Sequence, residues 1–425
     1  MYHCLVVLGA LALVIVLLRR KWKTGAALLA SALLLAVALP APPERLARFL
    51  SDDWAAHPLA ATFPAQTLDL LLLVILVNFL GQVMTARGLS DRLMSGLRAI
   101  LRSRRLAVAG VPAVMGMLPT PGGIMLSAPM VREAAQGYGL PGARAAIINY
   151  WFRHQWESVF PLFPAVPMAA GFLGVHVTAI MKWNLCICLP GLALGALVLL
   201  RGFPRAGSGP AAGESGKSGQ SGESPGIGRA LAGIGAALWP IGLALGLCLG
   251  LRVPAGLSLA AAIVLLLAVL RIRPTEAVAL FRRGAELDLA LVVLGAMSYG
   301  AILKSAGAVE SISVFISGLG LPVPVTVFLL PFIVGTTTGI TSATVALTFP
   351  LLAVLIATEG GGPDMRLAML AFAGGLSGIA LTPVHLCLAL SREYFKTTFG
   401  EMYRYVVPLV LLAAAAAFAC ALVRF

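Results

Sequence analysis

Two stretches of this chain combine helix breakers with hydroxyl side chains inside apolar sequence. One is Pro119-Thr120-Pro121-Gly122-Gly123, and the other runs Thr336-Thr337-Thr338-Gly339-Ile340-Thr341-Ser342-Ala343-Thr344. Pro and Gly interrupt a helix, and backbone groups freed in an apolar setting must find protein, water or ligand partners. Half-helix N-termini attract carboxylate, whereas unwound carbonyls and Ser/Thr oxygens coordinate a small cation. Thr120, Gly122, Gly123, Thr341, Ser342 and Thr344 are therefore candidate substrate-binding residues. The competing reading is that small residues at these positions only let helices pack closely.

Ionisable groups in apolar spans form the second set. Arg153, His154 and Glu157 lie in a span expected to be buried, where charge is costly and marks a site by default. Arg153 and Glu157, at i and i+4, share a helix face and can neutralise each other. Arg153 then either pairs with an anionic substrate or is held in a structural ion pair. His154 can relay protons near neutral pH or sit neutral and hydrogen-bonded. His385 follows Thr382-Pro383 at a predicted break that matches the His154 region. Asn149 and Thr382 can add oxygen ligands, giving Asn149, Thr382, His154, Glu157 and His385 as the coupling-ion candidates. Asp69 and Asp288 recur at matched span ends and read as helix caps.

Neither a His-Glu-x-x-His motif nor a Gly-x-Ser-x-Gly elbow occurs. No catalytic residues are assigned and an enzyme is not expected. The six cysteines, scattered through apolar spans, indicate neither a disulfide framework nor a zinc site. No cofactor is expected beyond a bound sodium ion. Gly216-Lys217-Ser218 approaches a phosphate loop but sits in low-complexity sequence, without the strand and helix that motif needs.

The elements that position these residues follow from composition. Of 425 residues 59% are hydrophobic and 11% charged, against roughly 25% charged in soluble domains. Apolar stretches long enough to cross a bilayer recur along the chain, which excludes soluble folds. The net charge of +14 is read as cationic loops that fix orientation; basic patches interleaved with aromatics, as nucleic acid would need, are absent. Spans are predicted near 4–18, 24–41, 67–86, 145–175 (long enough to be broken), 183–200, 230–250, 253–270, 287–303, 366–390 and 406–423. Residues 87–105 read as a basic interfacial helix. Segments 106–131 and 321–351, each broken at its centre, read as re-entrant hairpins. Residues 203–228 form a flexible Gly/Ser/Pro-rich linker. Of the 31 cations, 23 fall on the side of that linker, 7 opposite and Arg153 within the membrane. That places the linker in the cytoplasm and both termini outside.

The halves match when shifted by 219. Leu68, Asp69, Leu70, Leu72, Val74, Gly81 and Gly88 fall on Leu287, Asp288, Leu289, Leu291, Val293, Gly300 and Gly307. A two-residue slip then places Thr120, Leu126 and Pro129 on Thr341, Leu347 and Pro350. Arginines crowd the stretch after Gly88, but the stretch after Gly307 carries only Glu310, so the copies face opposite ways. The expected fold is an all-α polytopic membrane protein of two inverted repeats, 1–202 and 229–425. Each holds about five transmembrane helices and one re-entrant hairpin, a layout found in transporters.

Leu118-Pro-Thr-Pro-Gly-Gly123, Ile148-Asn-Tyr-Trp-Phe-Arg-His154 with Trp156-Glu157, Leu381-Thr-Pro-Val-His-Leu386 and Ser391-Arg-Glu-Tyr394 resemble domain-of-unknown-function family 401 over nearly the whole chain. That family is similar in layout to the ion transporter superfamily of gluconate, lactate, citrate and dicarboxylate carriers. The resemblance implies a scaffold half and a moving half working as a dimeric elevator in the cell (inner) membrane. The Ser-Asn-Thr motif of the dicarboxylate branch is absent from both tips, so the resemblance carries over no particular substrate. The expected function is secondary transport of a small organic anion coupled to sodium or protons. A passive channel, or an intramembrane hydrolase built on His154, Glu157 and His385, is the alternative.

Overall fold

A computed structural model describes residues 2–39, 63–101, 103–118, 123–135, 139–202, 226–308, 318, 320–358 and 362–422. Regular structure among them is helical, with one isolated bridge joining Ala357 and Pro363. In chain order the helices of the first half are α1 (Tyr2–Arg19), α2 (Thr24–Ala38), α3 (Phe63–Ala86), α4 (Leu89–Ile100), α5 (Arg104–Gly116), α6 (Ile124–Ala135), α7 (Gly142–His154), α8 (Ala165–Leu173) and α9 (Val177–Leu199). The second half continues with α10 (Ile227–Leu245), α11 (Ala255–Val269), α12 (Pro274–Gly284), α13 (Leu287–Ser305), α14 (Val323–Thr338), α15 (Thr341–Ile356), α16 (Met365–Leu381), α17 (Leu386–Tyr394) and α18 (Phe399–Leu422). A 3-10 turn, Gln155–Ser158, follows α7, and a π turn, Gly246–Gly250, extends α10.

Five helical stretches among the described residues are long and apolar enough to cross a bilayer: Ala65–Ala86, Val177–Leu199, Ile227–Gly250, Met365–Tyr394 and Phe399–Leu422. α12 and α13 qualify together but bend by 64° at their junction. α2 and α11 are apolar but only 15 residues long, about 22 Å of helix against a hydrocarbon core of about 30 Å. The chain is a helical membrane protein with several spanning segments.

Local sequence accounts for the breaks. α4 buries Leu89, Leu93 and Leu97, one helical stripe, and exposes Asp91, Arg92 and Arg98. It is the amphipathic helix expected within 87–105. α12, between the spans expected at 253–270 and 287–303, is a second such helix, with Pro274 at its first position and Arg282 and Arg283 in its last turn. Arg87 Nη2 meets Glu276 Oε2 at 2.7 Å and joins the two. Both expected hairpins are pairs of short helices, α5 with α6 and α14 with α15, packed on each other. The span expected at 145–175 is broken after His154, and the one expected at 366–390 is broken at Thr382–His385.

The helices pack in two groups, each drawing on both halves of the chain. In one, α2 packs on α13, α3 on α11 and α4 on α10; in the other, α14 packs on α16, and α18 on α9 and α16. Two contacts across the halves mirror each other. Asp69 of α3 accepts at Oδ1 from Leu257 N (3.1 Å) in the first turn of α11, and Asp288 of α13 accepts at Oδ1 from Gly25 N (3.0 Å) in the first turn of α2. Each carboxylate satisfies an N–H that has no partner within its own helix. A Cβ at Gly25 would lie 2.5 Å from Asp288 O, and one at Gly256 2.3 Å from Asp69 O. Glycine is needed there because backbone meets backbone.

Candidate functional site

The site forms where three breaks meet: the 3-10 turn after α7, the α14–α15 tip and the α16–α17 break. At the tip Gly339 has φ +65°, a left-handed conformation that glycine adopts without strain. Ile340 is extended, and α15 restarts at Thr341. At the α16–α17 break Thr382 is extended before Pro383, as a residue preceding proline should be.

These breaks bring distant side chains together. Thr341 Oγ1 donates to Glu157 Oε2 at 2.5 Å. Glu157 Oε1 lies 3.6 Å from His154 Nε2, and His154 Nε2 lies 3.1 Å from His385 Nε2. The opposite ring nitrogens are held by the backbone, His154 Nδ1 by Tyr150 O (2.6 Å) and His385 Nδ1 by Gly339 O (2.7 Å). A carbonyl oxygen only accepts, so each Nδ1 carries its hydrogen, which leaves Nε2 as the nitrogen of each ring that can offer a lone pair. The sulfur of Cys387 completes a group whose ligand atoms all lie within 4.8 Å of one another.

A cavity of about 470 Å³ opens beside the cluster, walled by Thr337–Ser342, His385, Leu386, Glu157 and the Phe163–Ala165 segment, with Trp22 and Thr24 at its edge. Four helices start in its wall: α2 at Thr24, α8 at Ala165, α15 at Thr341 and α17 at Leu386. Glu157 also borders a smaller cavity, about 60 Å³, whose lining includes His154, Tyr150 and Ser377.

The remaining candidates are distributed as follows. Ser342 lines the large cavity. Thr344 Oγ1 lies 3.1 Å from Thr338 Oγ1 and donates to Ile340 O at 2.9 Å, inside the tip. Thr382 Oγ1 accepts from Val384 N at 3.3 Å and closes its own turn. Asn149 is fully buried; it accepts from Ser127 Oγ at 2.6 Å and donates to Ile124 O at 3.1 Å, pinning α6 to α7. Gly123 is buried just before α6. Thr120 and Gly122 lie outside the described residues.

Arg153 has a more specific place than the sequence indicates. Its guanidinium, 7% exposed, donates from Nη1 to Met115 O (2.8 Å) and from Nη2 to Leu118 O (3.3 Å). Met115 O is in the last turn of α5, where it also accepts from Leu118 N, and Leu118 O lies just beyond it; positive charge is favoured at this end of a helix. Trp156 Nε1 adds a bond to Ala113 O at 2.7 Å. The i, i+4 face-sharing expected of Arg153 and Glu157 does not form, because the α-helix ends at His154 and Glu157 enters the 3-10 turn. Sequence reasoning passed over Ser127, Tyr150 and Cys387. The His385-x-Cys387 spacing beside a Thr-Pro break was the one available signal for Cys387.

A bundle of apolar helices whose interrupted segments enclose polar side chains defines an integral membrane protein with a central site. The chain belongs to the family of proteins of unknown function DUF401, whose model matches residues 4–212 and 226–423. The stretch left between the matched parts falls within the Gly/Ser/Pro-rich linker. No curated protein matches the chain.

Proposed function

We propose that this protein is a secondary active transporter that moves a small organic anion, a carboxylate, coupled to sodium or protons. The observation that carries this reading is the convergence of four helix N-termini, at Thr24, Ala165, Thr341 and Leu386, on one cavity of about 470 Å³. A helix N-terminus bears roughly half a positive charge and free N–H groups, which together make an anion site. Glu157 borders the same cavity, so a bound carboxylate would meet a second negative charge at short range. A co-bound cation or proton removes that repulsion, which supplies a physical reason for coupling.

In this reading Thr341, Ser342 and Thr344 hold the substrate or its cation from one tip, and Thr120, Gly122 and Gly123 do so from the other. Arg153, through Leu118, positions the first tip. Glu157, His154 and His385 are the groups that face the coupling ion, and Asn149 and Thr382, which line neither cavity, fix the helices behind them.

We read the two halves as inverted repeats. Support comes from the reciprocal caps of Asp69 on α11 and Asp288 on α2, which exchange when the halves are exchanged. The two helix groups then serve as scaffold and moving unit of an elevator, dimeric as the resemblance to the ion transporter superfamily implies. The Arg87–Glu276 pair joins two segments that the cation distribution assigns to the cytoplasm, which fits an inner-membrane orientation with both termini outside.

The test is thermal stabilisation of the purified protein by small carboxylates in sodium or choline, followed by uptake into proteoliposomes. The expected result is a carboxylate whose stabilisation and uptake depend on sodium or on a proton gradient. Ser342→Glu, which places a fixed negative charge at the start of α15, should abolish both. Flux that is non-saturating and indifferent to both gradients would overturn the carrier reading in favour of a channel.

A further inference from the structure

We propose that His154, His385 and Cys387, completed by Glu157, bind a borderline-to-soft transition-metal ion such as Zn²⁺ or Cu⁺. The inference goes beyond the transport reading and stands without it, because it rests on donor chemistry alone. Both Nδ1 atoms donate to backbone carbonyls, the outer-shell arrangement that fixes the tautomer of metal-ligating histidines. Their Nε2 atoms therefore face each other at 3.1 Å. Two bare nitrogens at that distance repel unless a proton or a metal cation lies between them, and the donors gathered around the pair suit the metal. Tetrahedral ligands at the usual metal–nitrogen distance of 2.0–2.1 Å are separated by about 3.3 Å, close to the separation here.

The other donors extend the argument. The Cys387 sulfur lies within 4.8 Å of both histidine nitrogens, and a thiolate beside two imidazoles selects zinc or copper over the hard ions that prefer oxygen. Glu157 Oε1, 3.6 Å from His154 Nε2, is placed to become a fourth ligand. A thiolate and a carboxylate together carry two negative charges in a largely buried setting, and a divalent ion neutralises both. Glu157 borders both cavities and His385 the larger one, so an ion has a way in. The metal ligands come from the end of α7 and its 3-10 turn on one side and the α16–α17 break on the other, so a bound ion fastens two breaks together.

The experiment is titration of the full-length protein, purified in detergent and stripped with a chelator, with Co²⁺ as a spectroscopic stand-in for Zn²⁺. The expected result is one Co²⁺ per chain, with the strong visible bands of a tetrahedral site and a thiolate-to-cobalt charge-transfer band, all displaced by Zn²⁺. Cys387→Ser should remove the charge-transfer band and weaken binding roughly tenfold or more. His385→Ala should remove the visible bands, and Cys188→Ser, a buried thiol outside the cluster, should change neither. Absence of a thiolate band in the wild-type protein overturns the proposal whatever the variants do, as does a band that survives Cys387→Ser. Cobalt binding without any carboxylate effect would count against the transporter alone; the converse result would count against the metal site alone.

Discussion

Replacing Arg153 by alanine separates a guanidinium that holds the fold from one that faces substrate. The side chain donates to Met115 O and Leu118 O at the end of α5. A buried hydrogen bond from a charged donor contributes about 1.5–3 kcal/mol, so the two together contribute roughly 3–6 kcal/mol. Desolvation of the guanidinium in the wild type offsets part of that, while the Leu118 carbonyl loses its guanidinium partner in the variant and adds to the loss; Met115 O keeps its bond from Leu118 N. A net destabilisation of about 3 kcal/mol follows, on the order of a hundredfold in the folding equilibrium. Arg153→Lys has a compact ammonium that can serve one carbonyl well, and should lose about half as much. The assay is reversible unfolding in mixed micelles, followed by the fluorescence of tryptophans such as Trp151 and Trp156 beside the site. Wild-type stability in Arg153→Ala, with only ligand effects lost, would refute the capping role and return Arg153 to the substrate.

Two further outcomes follow from the caps. Asp69→Asn and Asp288→Asn keep an oxygen acceptor and should cost little, whereas Asp69→Ala and Asp288→Ala should each lose roughly 1 kcal/mol in the same unfolding assay. Unequal losses would count against equivalent roles in the two halves. Asp364 accepts from Arg366 N (2.9 Å) at the start of α16, and its Oδ2 meets Arg366 Nη2 at 2.6 Å. Its pKa lies below the ordinary carboxylate value, chiefly through the hydrogen bond from the Arg366 side chain and further through backbone N–H groups. Because the folded pKa is the lower one, the stabilisation is present above the unfolded pKa and is lost as pH falls through the folded value. Asp364→Ala should therefore be less stable than wild type at neutral pH, by roughly 1 kcal/mol, and the difference should close as pH falls through the folded pKa of Asp364. A gap that persists in acid would exclude the carboxylate as its source.

Much of the site was legible before the fold was known, because it consists of interruptions. Gly339 and Thr382-Pro383 break helices through their own backbone chemistry, whatever surrounds them. The run of apolar residues around each break marks membrane depth by composition alone. The amphipathic stripe of Leu89, Leu93 and Leu97 needs only its own spacing. α12 was missed as a helix because its short, cationic sequence has the composition of a loop, and its burial against α3 is a tertiary contact.

Partnership was not legible. The repeat match put His154 and His385 in corresponding breaks and one candidate set, but it does not place their rings in contact across 231 residues, nor bring Glu157 to Thr341 across 184; those meetings depend on how separate breaks stack in space. Arg153 looked like a substrate ligand or the partner of Glu157, because a charge at membrane depth requires compensation but does not say from where. Its neighbours turned out to be the carbonyl ends of α5. Cys387 looked like one thiol among six, since only proximity distinguishes a ligand from a packing residue. Hydropathy, helix breaking and charge asymmetry act over a few residues and are written along the chain. Ligand sets and cap partners are distances between segments, and only the packed helices determine them.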